Sequence, residues 1–340
     1  MSTQLRPLSL GEILDRTAEL YRNNFLLFAG IAAIFSGAML FVQMLHLGVL
    51  EILGFREVSA QLSWSTSAFA VLAGLVILLL AGLGIAANNR AVAWVHLGER
   101  ATIRGAASSI RPRLGRFLWL MLITWFRAWA PLSGVYIALF AMIATILPSG
   151  LLTHPGVAQS TQVQDPTVFL RFGIYLLILV PLFLGTLIYG ILMALRYSLA
   201  MPACVVEGLP AGAALKRSVE LSKGSRGRVF VLGLLVGAVR TILGIILGFP
   251  FIAFAFKHPG HALPMGLLAM QQLGTFVVNT LIGPIYATGL TLFYYDQRIR
   301  KEGFDIEWMM QADGLTQPAT VANGADAMLS ANLTDSLKET

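Results

Sequence analysis

The chain has 340 residues, of which 56% are hydrophobic and only 12% charged, with a mean hydropathy of +0.74. That balance lies outside the range of soluble globular domains. Its formal net charge of +7 is therefore read as a membrane signal, and its single cysteine, Cys204, excludes an internal disulfide.

In chain order, the first 24 residues are polar and amphipathic, with acids among them. No short apolar core followed by a small-residue cleavage site is present, so no cleavable signal is expected. Residues 8–22 read LSLGEILDRTAELYR. Ser9-Leu10-Gly11-Glu12 fits a capping box. Leu10, Ile13, Leu14, Thr17, Leu20 and Tyr21 recur at helical spacing, leaving Glu12, Asp15, Arg16, Glu19 and Arg22 most of the remaining surface. A helix of this kind lies in the membrane interface with its apolar side down, or packs as a cap on the end of a bundle.

Six apolar runs follow, over residues 25–45, 67–87, 117–147, 168–195, 229–256 and 265–295. Each reaches the roughly 20 residues needed to cross the hydrocarbon core. Unbroken apolar runs exclude a β-barrel, whose strands alternate. Pro131, Pro181, Pro250 and Pro284 fall within the longer runs, where neighbouring helices can satisfy the freed carbonyls. Six spans place both termini on one side of the membrane. All 24 lysines and arginines but five then lie on that side: Arg56, Arg171 and Lys257 fall opposite, and Arg127 and Arg240 within spans. The positive-inside rule makes the shared side cytoplasmic, and the charge favours anionic head groups there. Nucleic acid is not an expected partner, because the basic residues are scattered among juxtamembrane loops.

The opening helix is written again before the fifth run. Residues 209–223 read LPAGAALKRSVELSK and align with 8–22 without a gap. Arg16 meets Arg217, Thr17 meets Ser218, Glu19 meets Glu220 and Leu20 meets Leu221. A weaker copy over 105–111 precedes the third run, with Pro112 set to cut its helix short. The expected fold is an all-α polytopic membrane protein. Its six transmembrane helices form three repeats of an interfacial amphipathic helix plus a transmembrane hairpin, over about 8–90, 102–196 and 209–300. The membrane domain takes residues 1–308. The Ala-, Thr- and Asn-rich segment 309–340 reads as a disordered cytoplasmic tail, and 148–167 as a mobile hairpin tip.

Arg127 and Arg240 each sit ten residues after a phenylalanine at or next to the start of a run, Phe117 and Phe230, which is about 15 Å along a helix. An arginine facing lipid there costs from about 3 to over 10 kcal/mol. Arg240 shares a helical stripe with Gly233, Gly237, Gly244 and Gly248, a pattern that lets helices approach closely, so both arginines are expected to point into the bundle. No acid falls within the runs. The expected neutral partners share a stripe on the sixth: Gln272, Thr275, Asn279 and Tyr286. These residues form a candidate intramembrane polar pocket able to accept an anion such as a lipid phosphate. Alternatively, the arginines snorkel or cap freed carbonyls.

Catalytic patterns are scarce. G-x-S-x-G, H-E-x-x-H and the P-loop do not occur. His258-Pro259-Gly260-His261 reads as a turn rather than a metal site, and no cofactor or metal is expected.

Three segments carry a resemblance. LRPLSLGEILDRTAELYRNNF, MPACVVEGLPAGAALKRSVELSKG and TLFYYDQRIRKEGFDIE resemble the membrane domain of bacterial glycerophosphoryl diester phosphodiesterases, which also occurs as a stand-alone protein. The resemblance covers about residues 5–308. It implies a multi-span bacterial inner-membrane protein with cytoplasmic termini, accompanied in fused members by a separate hydrolase domain. The hydrolase's His-Arg-Gly element and metal-binding acids do not occur in this sequence, so no phosphodiesterase activity is implied. Within the last segment, Asp296, Arg298, Arg300 and Glu302 offer ion pairs that lock the inner face. With Arg16, Glu19, Arg217 and Glu220 they form a candidate cytoplasmic motif.

The expected function is that of a non-enzymatic integral inner-membrane protein, a lipid-interacting scaffold or accessory protein. Its expected partners are membrane lipids, anionic ones included, and a partner membrane protein or enzyme. A transporter or channel for a small anion or phospholipid, using Arg127 and Arg240, is the alternative; an intramembrane enzyme is the second.

Overall fold

A computed structural model describes residues 6–53, 64–146, 166–258, 263–304, 306 and 310. The expectations for the tip at 148–167, the tail at 309–340, Arg56 and the turn through Pro259 and His261 lie outside or largely outside these residues. Among the described residues there is no strand. The helices are α1 (Leu10–Asn23), α2 (Phe25–Ile52), α3 (Trp64–His96), α4 (Ile103–Ile110), α5 (Leu114–Ile146), α6 (Pro166–Tyr197), α7 (Ala200–Val206), α8 (Ala211–Ser222), α9 (Arg226–Lys257) and α10 (Met265–Glu302), with one 3₁₀ turn, Arg111–Arg113, around Pro112. Six of them, α2, α3, α5, α6, α9 and α10, are long and apolar enough to cross a membrane. Pro131, Pro181, Pro250 and Pro284 sit inside α5, α6, α9 and α10 without ending them.

The chain divides into two units, Leu10–Tyr294 and a smaller one joining Met1–Ser9 to Tyr295–Thr340. In the larger unit α2 packs along α3 and α5 along α6. α10 is the most buried span: 44% of its most apolar window is buried, against 11–28% in the other five. Its polar bonds reach α1, α2 and α3. The Tyr21 hydroxyl of α1 donates to the Leu281 carbonyl at 2.7 Å, Ser36 of α2 and Thr280 share a hydrogen bond of 2.9 Å, and Thr291 donates to the Asn89 side chain of α3 at 3.2 Å.

The tightest packing lies at one end of this unit, where the short helices gather, not halfway along the spans. One core joins Phe28 and Ile31 (α2), Ala87 and Val92 (α3), Ile110 (α4), Phe117 (α5), Cys204 and Val205 (α7) and Leu215 (α8). Elsewhere the spans expose large apolar side chains such as Leu26, Phe41, Leu177 and Phe256, as lipid-facing helices must. The short helices pack against the spans through buried faces. α1 buries Ile13, Thr17 and Leu20, so its apolar stripe is already covered by protein. α3 also runs nine residues beyond its apolar run, because Ala91, Val92 and Ala93 continue a buried face past Asn88, Asn89 and Arg90. Gly208, at φ +69°, ends α7 in a left-handed turn that a β-carbon would strain.

Cys204 lies fully buried in α7, and its thiol donates to the Leu209 carbonyl at 3.3 Å. A maleimide is expected to leave the folded protein unlabelled and to modify it on denaturation. Modification of the folded protein at the rate of an exposed thiol would contradict the packing of α7.

Candidate functional site

The capped end of the larger unit is built around one acid that sequence reading left without a role. Glu207 follows α7, and its carboxylate accepts from Arg217 Nε of α8 at 2.9 and 3.1 Å and from the Tyr294 hydroxyl of α10. Arg116 of α5 donates to the neighbouring Gly208 carbonyl. The turn thus joins α5, α7, α8 and α10. Only its position suggested this: an acid and a glycine directly before the second copy of the amphipathic helix.

Ser218 completes the joint. It is fully buried, donates to the Arg196 carbonyl at 2.9 Å and accepts from the Leu199 N–H at 3.1 Å. It thereby satisfies two backbone groups freed where α6 ends and α7 begins. Ser222 also donates to the Arg196 carbonyl at 3.3 Å, so Ser218→Ala is expected to cost about 1–2 kcal/mol, mainly from the Leu199 N–H left buried without its partner. Thermal unfolding in detergent measures it. Thr17, the aligned residue of α1, instead donates to Ile13 of its own helix at 2.7 Å. Arg16 pairs with Glu19 at 2.6 Å on the exposed face of α1, and Glu220 stands on α8.

At the level of the spans the two arginines are not brought into one pocket, and neither is enclosed by the bundle. Both are exposed on the flanks of their helices. Arg127 lies with its guanidinium carbon 6.0 Å from the Tyr197 ring of α6. Arg240 donates to Asn279 Oδ1 of α10 at 2.7 Å. Gln272 and Thr275 are half-buried on α10, and the Thr275 hydroxyl returns to the Gln271 carbonyl at 2.9 Å. The correction has a plain cause. The glycine stripe was read as a helix seam, yet a β-carbon added at Gly237, Gly244 or Gly248 would meet nothing within 4 Å. That part of the stripe therefore faces open space, while Arg240 beside it reaches Asn279, one of its expected partners.

Tyr286 lines two cavities instead. One, of about 220 Å³, is bounded by α3, α5, α6 and α10, with Thr124, Tyr197 and Ser198 among its walls. The other, of about 550 Å³, runs along the first half of α9, lined by Phe230, Gly233, Gly237 and Ile242, with Leu195 of α6 and Tyr286 beside them. Among the described residues no group of three His, Cys, Asp or Glu could hold a metal ion.

In the smaller unit, Asp296 is buried and holds Leu8. Its carboxylate accepts the Leu8 N–H at 2.8 Å, Arg300 Nε at 3.0 Å on both oxygens, and the Gln297 amide at 3.0 Å. Arg300 Nη2 donates to the Leu8 carbonyl at 2.6 Å. Both backbone groups of Leu8 are thus satisfied by one ion pair. Arg298 pairs with Glu302 at 3.2 Å and lies 4.1 Å from the centre of the Phe304 ring.

Six membrane-length helices, a capped end joined through Glu207, and no strand among the described residues define a polytopic helical membrane protein. Within that class, residues 8–297 match the family described as a domain of unknown function, DUF7847, and the chain belongs to that family. The match begins at Leu8 and ends at Gln297, so it takes in both sides of the Asp296–Leu8 clasp. No curated protein and no solved structure matches the chain.

Proposed function

We propose that this protein is a non-enzymatic scaffold or accessory protein of the bacterial inner membrane, with both termini cytoplasmic, which gathers anionic lipids at its cytoplasmic face. One observation carries the reading. On and beside α4 the side chains of Arg100, Arg104, Arg111 and Arg113 are exposed, with Glu99 the sole acid of that segment. Each such cation near an anionic leaflet contributes about 1 kcal/mol. The reading further divides the chain into three repeats. In support, α1 and α8 bury the same aligned positions, Ile13 with Ala214, Thr17 with Ser218 and Leu20 with Leu221. The resemblance to phosphodiesterase membrane domains, which in fused members accompany a hydrolase domain, adds a partner enzyme to the proposal.

Purification with native lipids, followed by lipid mass spectrometry, tests the proposal. Enrichment of anionic lipid that falls when Arg100, Arg104, Arg111 and Arg113 are all changed to Gln is the expected result; no enrichment, or enrichment untouched by the change, overturns it. Reporter fusions at both termini test the orientation.

The Arg240–Asn279 pair at membrane depth favours a second reading, transport of a small anion or phospholipid. Arg127→Ala and Arg240→Ala in proteoliposomes decide it: transport lost in either variant supports it, and transport unchanged in both removes the arginines from any pathway.

A further inference from the structure

We propose that α9 and α10 dock one transmembrane helix of a partner protein, which carries an Asp or Glu at mid-membrane depth and pairs it with Arg240. Resting on the scaffold reading, this gives the chemistry of what the scaffold holds. Two independent registers place Arg240 deep. Along α9 it stands 14 residues from Arg226 and 17 from Lys257, about 21 and 26 Å from the cations at the two ends. Across the bundle, its acceptor Asn279 adjoins Thr280, which shares a hydrogen bond with Ser36. Ser36 lies 11 residues into the first apolar run, about 16 Å along it. An arginine side chain is too short to snorkel from that depth to a head group.

Arg240 is exposed there, and among the described residues its guanidinium makes one hydrogen bond, from Nη2 to the neutral Asn279 oxygen at 2.7 Å. Its other N–H donors remain available. The surface around it is apolar: Val239, Ile242 and Ile245 of α9 and Val277 and Leu281 of α10 are exposed. Against acyl chains such a cation is strongly unfavourable. None of the six apolar runs holds an acid, so a countercharge must come from another molecule. The backbone beside the pair is bare on both helices. Gly237 and Gly244 lie three and four residues from Arg240, and Gly283 lies four from Asn279; a β-carbon at any of them would meet nothing within 4 Å. Small residues let an incoming helix approach closely, near enough for a carboxylate to take two N–H groups of one guanidinium. A phospholipid is a poorer match, because its phosphate sits at the interface, about half a membrane thickness away.

The full chain is reconstituted in phosphatidylcholine vesicles with a synthetic Leu-Ala helix of about 21 residues bearing one central Asp; the control helix carries Asn there. Energy transfer from a dye on the protein's N-terminal amine to a dye on the helix reads association. The Asp helix is expected to bind about tenfold or more tightly than the Asn helix, the effect of a charge-assisted hydrogen bond. Arg240→Gln should remove that difference and Arg240→Lys keep part of it, while Gly237→Leu with Gly244→Leu should weaken both helices. Shielding of Cys204 from maleimide verifies that each variant is folded, and Gly283→Leu replaces the double glycine variant if that one exposes it. Equal binding of the two helices, or none, overturns the proposal, as does a preference that survives Arg240→Gln. A preference lost when phosphatidylglycerol replaces phosphatidylcholine also overturns it and assigns Arg240 to a lipid phosphate. Arg100, Arg104, Arg111 and Arg113 stay intact throughout, so failure here and failure of lipid enrichment at α4 are separate results.

Discussion

Glu207→Ala is expected to destabilise the larger unit by about 3 kcal/mol. Removing one member of a buried ion pair leaves an uncompensated charge and costs about 3–5 kcal/mol. Here the Arg217 and Glu207 side chains keep 23% and 18% of their exposure, so solvent relieves part of that penalty and the lower end applies. The Tyr294 hydroxyl loses its acceptor in the same step. Glu207→Gln should cost less, because an amide oxygen still receives Tyr294. Arg217→Ala added to Glu207→Ala should cost little more than the worse single change, since the three side chains act as one network. Unfolding monitored by Cys204 labelling measures all four variants, and an additive double variant would show that the pair is not coupled.

Asp296→Ala should release the start of the chain without unfolding the larger unit. Leu8 is held at both its N–H and its carbonyl by the Asp296–Arg300 pair. Losing the carboxylate takes away the acceptor for the Leu8 N–H and the group that orients Arg300. At 39% exposure the Arg300 guanidinium is solvated once freed, so the loss is about 2 kcal/mol rather than the full cost of a buried charge. Hydrogen exchange at the Leu8 amide should then quicken by roughly thirtyfold, while exchange in α7 and α8 stays as it was. Equal protection of Leu8 in both proteins would mean that the clasp holds nothing in place.

Both predictions concern side chains whose partners are far apart in the chain, and that separation marks the boundary of what could be read without coordinates. Span number, helix starts and the break at Pro112 are written locally, because apolar run length, capping residues and proline act over a few neighbouring positions. The aligned helices 8–22 and 209–223 were legible for the same reason. Their burial was not: whether Ile13 and Leu20 meet lipid or protein depends on α2 and α10 arriving beside them. Asn89 could be seen in the sequence only as a polar residue past the end of an apolar run. Its partner Thr291 belongs to α10, and only the fold places them together. For Arg127 and Arg240 the sequence determined depth along the helix, since rise per residue is constant. It did not determine which way they face, because a glycine stripe means close packing only when another helix occupies it. In this protein the space beside Gly237 is open. Composition and local pattern thus set the number and order of the rods, and tertiary structure alone decided which faces met, because azimuth is chosen by neighbours and not by the helix itself.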